Sequence, residues 1–378
     1  MISMATRNPA MTRHVLCLDG TNNFPNGGYT NIQRLFRMLK RDQEQLTYYQ
    51  PGVGTLEPGS VTSGLAKRTL MLIDSMSAIF IERHVCAAYR YLMSHWQEGD
   101  ELCLFGFSRG AFAARVLAGM LARVGLLHRD FDEMVAFAWK AYLAPWVDGA
   151  EDSGARFRRH YGRYIPEIRF IGLFDSVSAV GLPWLPRRFA YTFDNPRVRT
   201  VRQALALDER RVMFVQNRWT DKPRNGTDVA QVWFAGNHSD IGGGYGESEA
   251  GLSLITLAWM KREADAAGIQ FKPMVSKEPF GDIDNGPELI GALSEAHKAA
   301  PLHDELLLRR WWWIVEGIPV PRLRRDSVGK WRREWHINLG RPRALPTDIP
   351  ARVHLSVKRR MHDGYQPRAT LRDPDFVD

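Results

Sequence analysis

The chain has 378 residues, 44% of them hydrophobic and 25% charged, a balance that excludes a disordered or membrane-spanning polymer. Its length suits one large α/β domain with elaborations, or two ordinary domains. Its 51 Lys and Arg outnumber 42 Asp and Glu, for a formal net charge of +9.

No transmembrane helix is expected, because the longest apolar stretch, Leu70 to Ile81, is interrupted by Asp74, Ser75 and Ser77. The first twelve residues show no apolar region leading to a small-residue cleavage site. The expectation is therefore a cytoplasmic chain without a signal peptide, with peripheral membrane association or signal-less secretion left open. Cys17, Cys86 and Cys103 are too widely spaced for a disulfide framework or a zinc site, and read as small buried thiols.

A unit of short apolar strand, turn and amphipathic helix recurs from the N-terminus. His14 to Leu18 reads as a buried strand, followed by the loop Asp19-Gly20-Thr21-Asn22-Asn23 and a helix marked by Ile32, Leu35, Phe36 and Leu39. Thr47 to Tyr49 is a second strand, closed by Pro51-Gly52. A helical region from about Leu65 to Trp96, broken once near Asp74 to Ser77, leads into the strand Glu101 to Phe105. After Gly106, the residues Phe112, Val116, Leu117, Met120, Leu121 and Val124 form the apolar face of a helix. Residues 126–164 are expected to be helical and rich in aromatics, among them Phe131, Phe137, Trp139, Tyr142 and Trp146. Strand Ile168 to Phe174 ends at Asp175. A helix carrying Val201, Leu205 and Leu207 is expected to lead to a strand over Arg211 to Val215. Strand Val229 to Ala235 ends at Gly236-Asn237-His238, and a helix runs from about Leu252 to Ala267.

Strands alternating with helices predict a mainly parallel sheet with helices on both faces. Functional groups in such sheets gather at the carboxyl ends of the strands. Asp19, Ser108, Asp175 and His238 all fall just past predicted strand ends.

Gly106-Phe107-Ser108-Arg109-Gly110 is a G-x-S-x-G motif between a predicted strand and a predicted helix, the context of an α/β-hydrolase nucleophile. A serine on so sharp a turn needs neighbours without side chains, and a base to take its proton during attack. Ser108 is the candidate nucleophile. The free N–H groups opening the next helix suit a developing oxyanion, with the Arg109 N–H as first donor and those of Gly20 or Thr21 as second.

The chain order in this fold is Ser, then acid, then His. His238 is the histidine that directly follows a buried strand, with the flexible run Ile241-Gly242-Gly243-Gly244-Tyr245 behind it. Asp175, at the end of its own strand, is the candidate acid that would hold the imidazole tautomer. Asp240 is the competitor, poorly placed to orient a ring two residues away, and Asp19 is a further candidate. No metal and no organic cofactor is expected.

From Arg309 to Arg360, fourteen Lys or Arg stand against four Asp or Glu, interleaved with Trp311, Trp312, Trp313, Trp331 and Trp335. Such a segment suits an anionic lipid surface. It would also suit nucleic-acid phosphates, the less favoured partner, or be a solvated face whose tryptophans pack inward. The expected organisation is a hydrolase core over 13–270, with 126–164 as a helical candidate lid. A basic, Trp-rich extension over 271–378 would pack on that core.

Five ordered segments carry a resemblance: Leu18-Asp19-Gly20-Thr21-Asn22-Asn23, Gly106-Phe107-Ser108-Arg109-Gly110-Ala111-Phe112, Gly172-Leu173-Phe174-Asp175-Ser176-Val177, Ala204-Leu205-Ala206-Leu207-Asp208-Glu209, and His238-Ser239-Asp240-Ile241-Gly242-Gly243-Gly244-Tyr245. With His354-Leu355-Ser356-Val357 as a weaker match, they resemble the α/β-hydrolase domain family that includes the first class of type VI secretion lipase effectors. The resemblance implies a Ser-Asp-His triad at Ser108, Asp175 and His238, and a lipid or ester substrate. Two alternatives stand beside this reading. One is a non-catalytic membrane- or nucleic-acid-binding module on the same scaffold. The other is a metal-dependent phosphoesterase built on Asp19, Asp175, His238 and Asp240.

Overall fold

The computed structural model describes residues 11–20, 29–52, 66–147, 149, 151–177, 189–273, 300–325 and 331–378. Its first strand, β1 (Arg13–Leu18), leads to helix α1 (Asn31–Met38) and then to β2 (Gln45–Gln50). The long helix α2 (Ala66–His95) precedes β3 (Glu101–Phe107) and α3 (Ser108–Val124). Two short strands, β4 (Leu126–Leu127) and β5 (Gly162–Tyr164), pair antiparallel and bracket helices α4 (Val135–Leu143) and α5 (Ser153–Tyr161). Next in the chain are β6 (Ile168–Phe174), β7 (Val198–Ala206), β8 (Asp228–Phe234), α6 (His238–Gly242) and α7 (Gly251–Ala266). A hairpin of β9 (Val320–Arg325) and β10 (Trp331–His336) precedes β11 (Arg352–His354), the helix Leu355–His362 and β12 (Asp375–Val377).

Eight of these strands form one sheet in the order β12-β11-β8-β7-β6-β3-β1-β2, and every neighbouring pair is parallel. The chain runs from β1 to the edge strand β2, returns to β3 on the other side of β1, and then builds outward. The strand order therefore reverses between β1 and β3, and the crevice at their carboxyl ends is where such sheets place their chemistry.

Side-chain alternation divides the core. Leu16, Leu18, Leu102, Leu104, Ile171 and Leu173 pack with α2 and α3 on one face. Val15, Cys17, Cys103, Phe105, Phe170 and Phe174 pack with α1 and α7 on the other. Strands buried on both faces lose the polar alternation of a half-exposed sheet, which explains the near-continuous apolar runs. Helix α3 is buried on all sides except at Arg109, as expected of a helix enclosed by α2, α4 and the sheet.

Three expectations need correction. The Val201, Leu205 and Leu207 segment is not a helix but the strand β7, held between β6 and β8. Ala and Leu favour helices only weakly, and pairing on both sides overrides that preference. Arg211 to Val215 is not a strand but a turn. The long helix α2 runs unbroken through Asp74 to Ser77, since Asp and Ser cost a helix interior only a fraction of a kcal/mol, about 0.5 each.

Among the described residues of the 126–164 segment the helices are α4, α5 and a 3₁₀ turn at Asp132–Met134, and the inner face of α4 (Val135, Ala138, Trp139, Tyr142) lies in the core. The sheet does not stop near residue 270: β11 and β12 extend it, and Leu205, Trp233, Val353 and Val357 form a core of their own at that end. All three cysteines are buried and unpaired. Among the described residues, no helix is long and apolar enough to cross a membrane.

Candidate active site

At the carboxyl end of β3 the backbone turns directly into α3, with Ser108 at φ 57°. That left-handed conformation costs a non-glycine residue about 1 kcal/mol and persists only where surrounding packing imposes it. Gly106 and Gly110 are that packing. A Cβ on Gly106 would lie 2.5 Å from the Ala111 Cα, and one on Gly110 would lie 2.5 Å from the Asp19 carbonyl oxygen. The first glycine lets the helix fold back on its own strand, and the second lets the helix start touch the end of β1.

The sheet register sets the next residue. Phe107 of β3 pairs with Phe174 of β6, so Ser108 and Asp175 leave adjacent strands at the same level. Asp175 is also left-handed, at φ 38°. Its fully buried carboxylate is held by four groups. Oδ2 lies 2.6 Å from the His238 Nδ1 and accepts from the Arg343 Nη2 at 2.9 Å. Oδ1 accepts from the Arg343 Nη1 at 2.5 Å and from the Ala206 N–H at 3.1 Å. Burial alone would raise the Asp175 pKa, but the Arg343 charge and the His238 hydrogen bond hold it well below the usual carboxylate range.

His238 opens α6, just past β8. Asn237 caps the helix by accepting from the Ser239 and Asp240 N–H groups, and the Asp240 carboxylate accepts from the Asn237 N–H in return. The imidazole sits between two phenylalanines. Phe107 stacks on it with centroids 4.7 Å apart, and Phe214 meets it edge-on at 4.8 Å. Burial pushes the His238 pKa below 6.5, opposed by the hydrogen bond to Asp175. Burial thus favours the neutral ring, the state a general base needs before attack.

The other candidates separate. Asp240 does not touch the His238 ring: its Oδ1 lies 2.7 Å from the His303 Nδ1, and Oδ2 accepts from the Asn237 N–H. Asp19 accepts from the Thr30 hydroxyl at 2.7 Å, the Tyr49 hydroxyl at 3.0 Å and the Gly20 N–H at 2.7 Å. It therefore ties the end of β1 to Thr30 and Tyr49, and its carboxylate accepts the Gly20 N–H. Thr21 lies outside the described residues. Arg109 is in the first turn of α3, where backbone N–H groups have no intrahelical acceptor. Asp19, Asp175, His238 and Asp240 form no single cluster: Asp175 meets His238, Asp240 meets His303, and Asp19 meets Thr30 and Tyr49. Among the described residues, no group of three or more His, Cys, Asp or Glu is set to hold a metal ion.

Three neighbours escaped the sequence reading. Glu209 accepts from the His238 backbone N–H at 3.2 Å and pairs with Arg211 at 2.6 Å. Its place in the Ala204 to Glu209 motif was the available signal. Phe214 carried no signal, because its segment read as a strand. Arg343 was one of 51 Lys and Arg with nothing local to single it out.

A doubly wound parallel sheet that delivers Ser108 on a sharp strand-to-helix turn makes this an α/β-hydrolase-like protein. The family described as "T6SS, Phospholipase effector Tle1-like, catalytic domain" matches residues 12–263, and the chain belongs to it. It is similar to the uncharacterized protein YEL023C of Saccharomyces cerevisiae, 27% identical in an alignment 533 positions long that covers 91% of this chain and 78% of that protein. Among solved structures it resembles an uncharacterized protein from Pseudomonas aeruginosa, with a TM-score of 0.41 and 21% identity. That likeness covers 82% of this chain, which spans about half (51%) of the Pseudomonas chain. It also resembles the Tle1 effector bound to the VgrG spike from the type VI secretion system, with a TM-score of 0.44, 16% identity, and coverage of 88% and 92%.

Proposed function

We propose that the protein is a serine hydrolase that cleaves carboxylic esters of lipids, phospholipids foremost, through an acyl-enzyme. The observation that carries this reading is the 2.6 Å contact between the Asp175 Oδ2 and the His238 Nδ1, at the level of the sheet where Ser108 leaves β3. A carboxylate on Nδ1 fixes the proton there, leaving Nε2 as the base. His238 takes the Ser108 proton as the oxygen attacks the acyl carbonyl. The tetrahedral oxyanion is met by the Arg109 N–H and the positive end of α3. His238 then protonates the leaving alcohol. A water, deprotonated by the same ring, releases the acid.

Family membership supports a lipid ester as substrate. An exposed surface adds to it. Leu307, Leu308, Trp311, Ile314 and Leu339 are exposed beside Arg309 and Arg310. Trp312 connects that patch to Phe214 and so to His238. An apolar, Trp-bearing patch with arginines at its rim suits the headgroup level of an anionic membrane.

Incubation with a mixed lipid extract, followed by mass spectrometry of the products, tests the reading. Wild type releases fatty acid and lysolipid, and Ser108→Ala releases neither while keeping its fold. Equal release by Ser108→Ala would overturn it.

A further inference from the structure

We infer that Arg343 is a positioning residue for the Asp175–His238 pair: it clamps the carboxylate against the imidazole and ties the Phe214 loop to the same point. The inference rests on the proposed roles of Ser108, His238 and Asp175.

Three contacts carry it. The guanidinium meets both Asp175 oxygens, with Nη1 on Oδ1 and Nη2 on Oδ2. A planar fork on two oxygens fixes the plane of the carboxylate as well as its position, and so fixes which lone pair faces the His238 Nδ1. The same guanidinium donates to the Phe214 carbonyl, from Nε at 3.0 Å and from Nη2 at 2.6 Å. The Phe214 ring is one of the two walls of His238. One side chain therefore sets the acid, and through the loop one face of the base. Arg343 is buried, as are both partners it joins through these bonds at Asp175. It also lies beyond residues 12–263, the segment that matches the family, so the clamp reaches the site from the C-terminal part of the chain.

The charges around the imidazole give the clamp a measurable effect. Facing His238 are Asp175 with Arg343, and Glu209 with Arg211, which Glu305 approaches at 4.0 Å. Phe107 and Phe214 complete the surroundings. Arg343 neutralises much of the Asp175 field at the ring, so an imidazolium gains less from its carboxylate than in a site where the acid stands alone. Without Arg343 the carboxylate would hold a proton on His238 more firmly, and Oδ1 would be left with the Ala206 N–H in place of the fork that fixes its plane.

The test uses the full chain, a soluble p-nitrophenyl ester and NMR titration of the His238 ring. Arg343→Met should lower kcat by about 10- to 100-fold with KM within about threefold. The acidic limb of kcat/KM and the His238 titration should both move to higher pH. Arg343→Lys restores the charge but not the fork, so its titration should stay near wild type while kcat remains reduced. Wild-type kcat and an unmoved titration in Arg343→Met would overturn the inference and leave Arg343 a packing residue. If Arg343→Met does not fold, Arg343→Lys decides: reduced kcat at unchanged KM supports the clamp, and wild-type kcat overturns it. A wild-type protein with no esterase activity would instead refute the proposed function, and the His238 titration would still report on Arg343.

Discussion

Phe107 and His238 stack with ring centroids 4.7 Å apart and 29° between their planes. The residue before the candidate nucleophile is thus a wall for the candidate base, and β3 controls both ends of the proposed proton transfer. Replacing Phe107 with Ala leaves the glycines of the turn in place but removes one face of the imidazole cage. Turnover of a soluble ester should fall about 10- to 100-fold, with KM little changed, because a misplacement near 1 Å costs about that much. Steady-state kinetics beside a circular-dichroism spectrum check it, and undiminished kcat would refute the role.

Phe107 also explains Gly242. A Cβ at Gly242 would meet the Phe107 ring at well under van der Waals distance. Gly242→Ala should therefore destabilise the protein by about 1–3 kcal/mol through overpacking. Combining it with Phe107→Ala should recover much of that loss. Urea denaturation of the single and double variants measures the coupling, and simple additivity would show that the two residues do not compete for this space.

Two aspartates near His238 are predicted to behave differently. Asp175→Asn removes the carboxylate charge that holds the Nδ1 proton, puts an NH₂ donor in place of one oxygen, and should lower kcat by about 10³- to 10⁴-fold. Asp240→Asn breaks the pairing with His303 and weakens the cap of α6, so it should cost stability, about 1–2 kcal/mol, and much less activity. Parallel kinetics and thermal melts separate them, and equal losses of kcat would count against the assignment of Asp175.

Histidines away from the site shape the response to acid. Burial lowers the pKa of His354 to about 4 and that of His84 to about 4, from 6.5. A group depressed on folding gives stability that is fully present above its unfolded value and is lost as pH falls toward its folded value. Stability should therefore drop between about pH 6.5 and pH 4, by at most about 1.4 kcal/mol per pH unit for each histidine. His354 caps its helix by accepting from the Ser356 N–H. His354→Asn can keep that bond and should flatten the pH dependence of Tm. Melts at pH 7.5, 5.5 and 4.5 read the slope, which would stay as in wild type if His354 did not titrate in this window.

The exposed cluster predicts a split between soluble and membrane substrates. Changing Leu308, Trp311 and Ile314 together to Ser should reduce sedimentation with phosphatidylserine-containing vesicles by about tenfold or more, since each buried side chain contributes about 1.5–3 kcal/mol. Turnover of a soluble ester should stay within about twofold. Equal binding of the variant and wild type would remove this patch from membrane contact.

Much of the site could be read from local pattern alone. G-x-S-x-G after an apolar strand specifies a turn on its own, because glycine at two fixed positions permits a close approach that nothing else permits. His238 and Asp175 were legible for a similar reason: a parallel strand buried on both faces shows as an apolar run, and the residues just beyond that run sit at the carboxyl edge of the sheet. The strand β7 was not legible. Its Ala and Leu carry a helical preference that only pairing on both sides could override.

The amino-acid sequence by itself determined the sharp turn at Ser108, the parallel α/β architecture and the order of the three candidate groups, since all of these depend on short-range spacing and burial. Only the tertiary structure decided that Asp175 rather than Asp240 meets the His238 ring, and that Asp19 is spent on Thr30, Tyr49 and Gly20. It alone brought Arg343 onto Asp175 across 168 positions of chain. Pairings at that separation depend on how the sheet is ordered and closed. No local pattern encodes them, because one arginine among many carries no mark of the carboxylate it will meet.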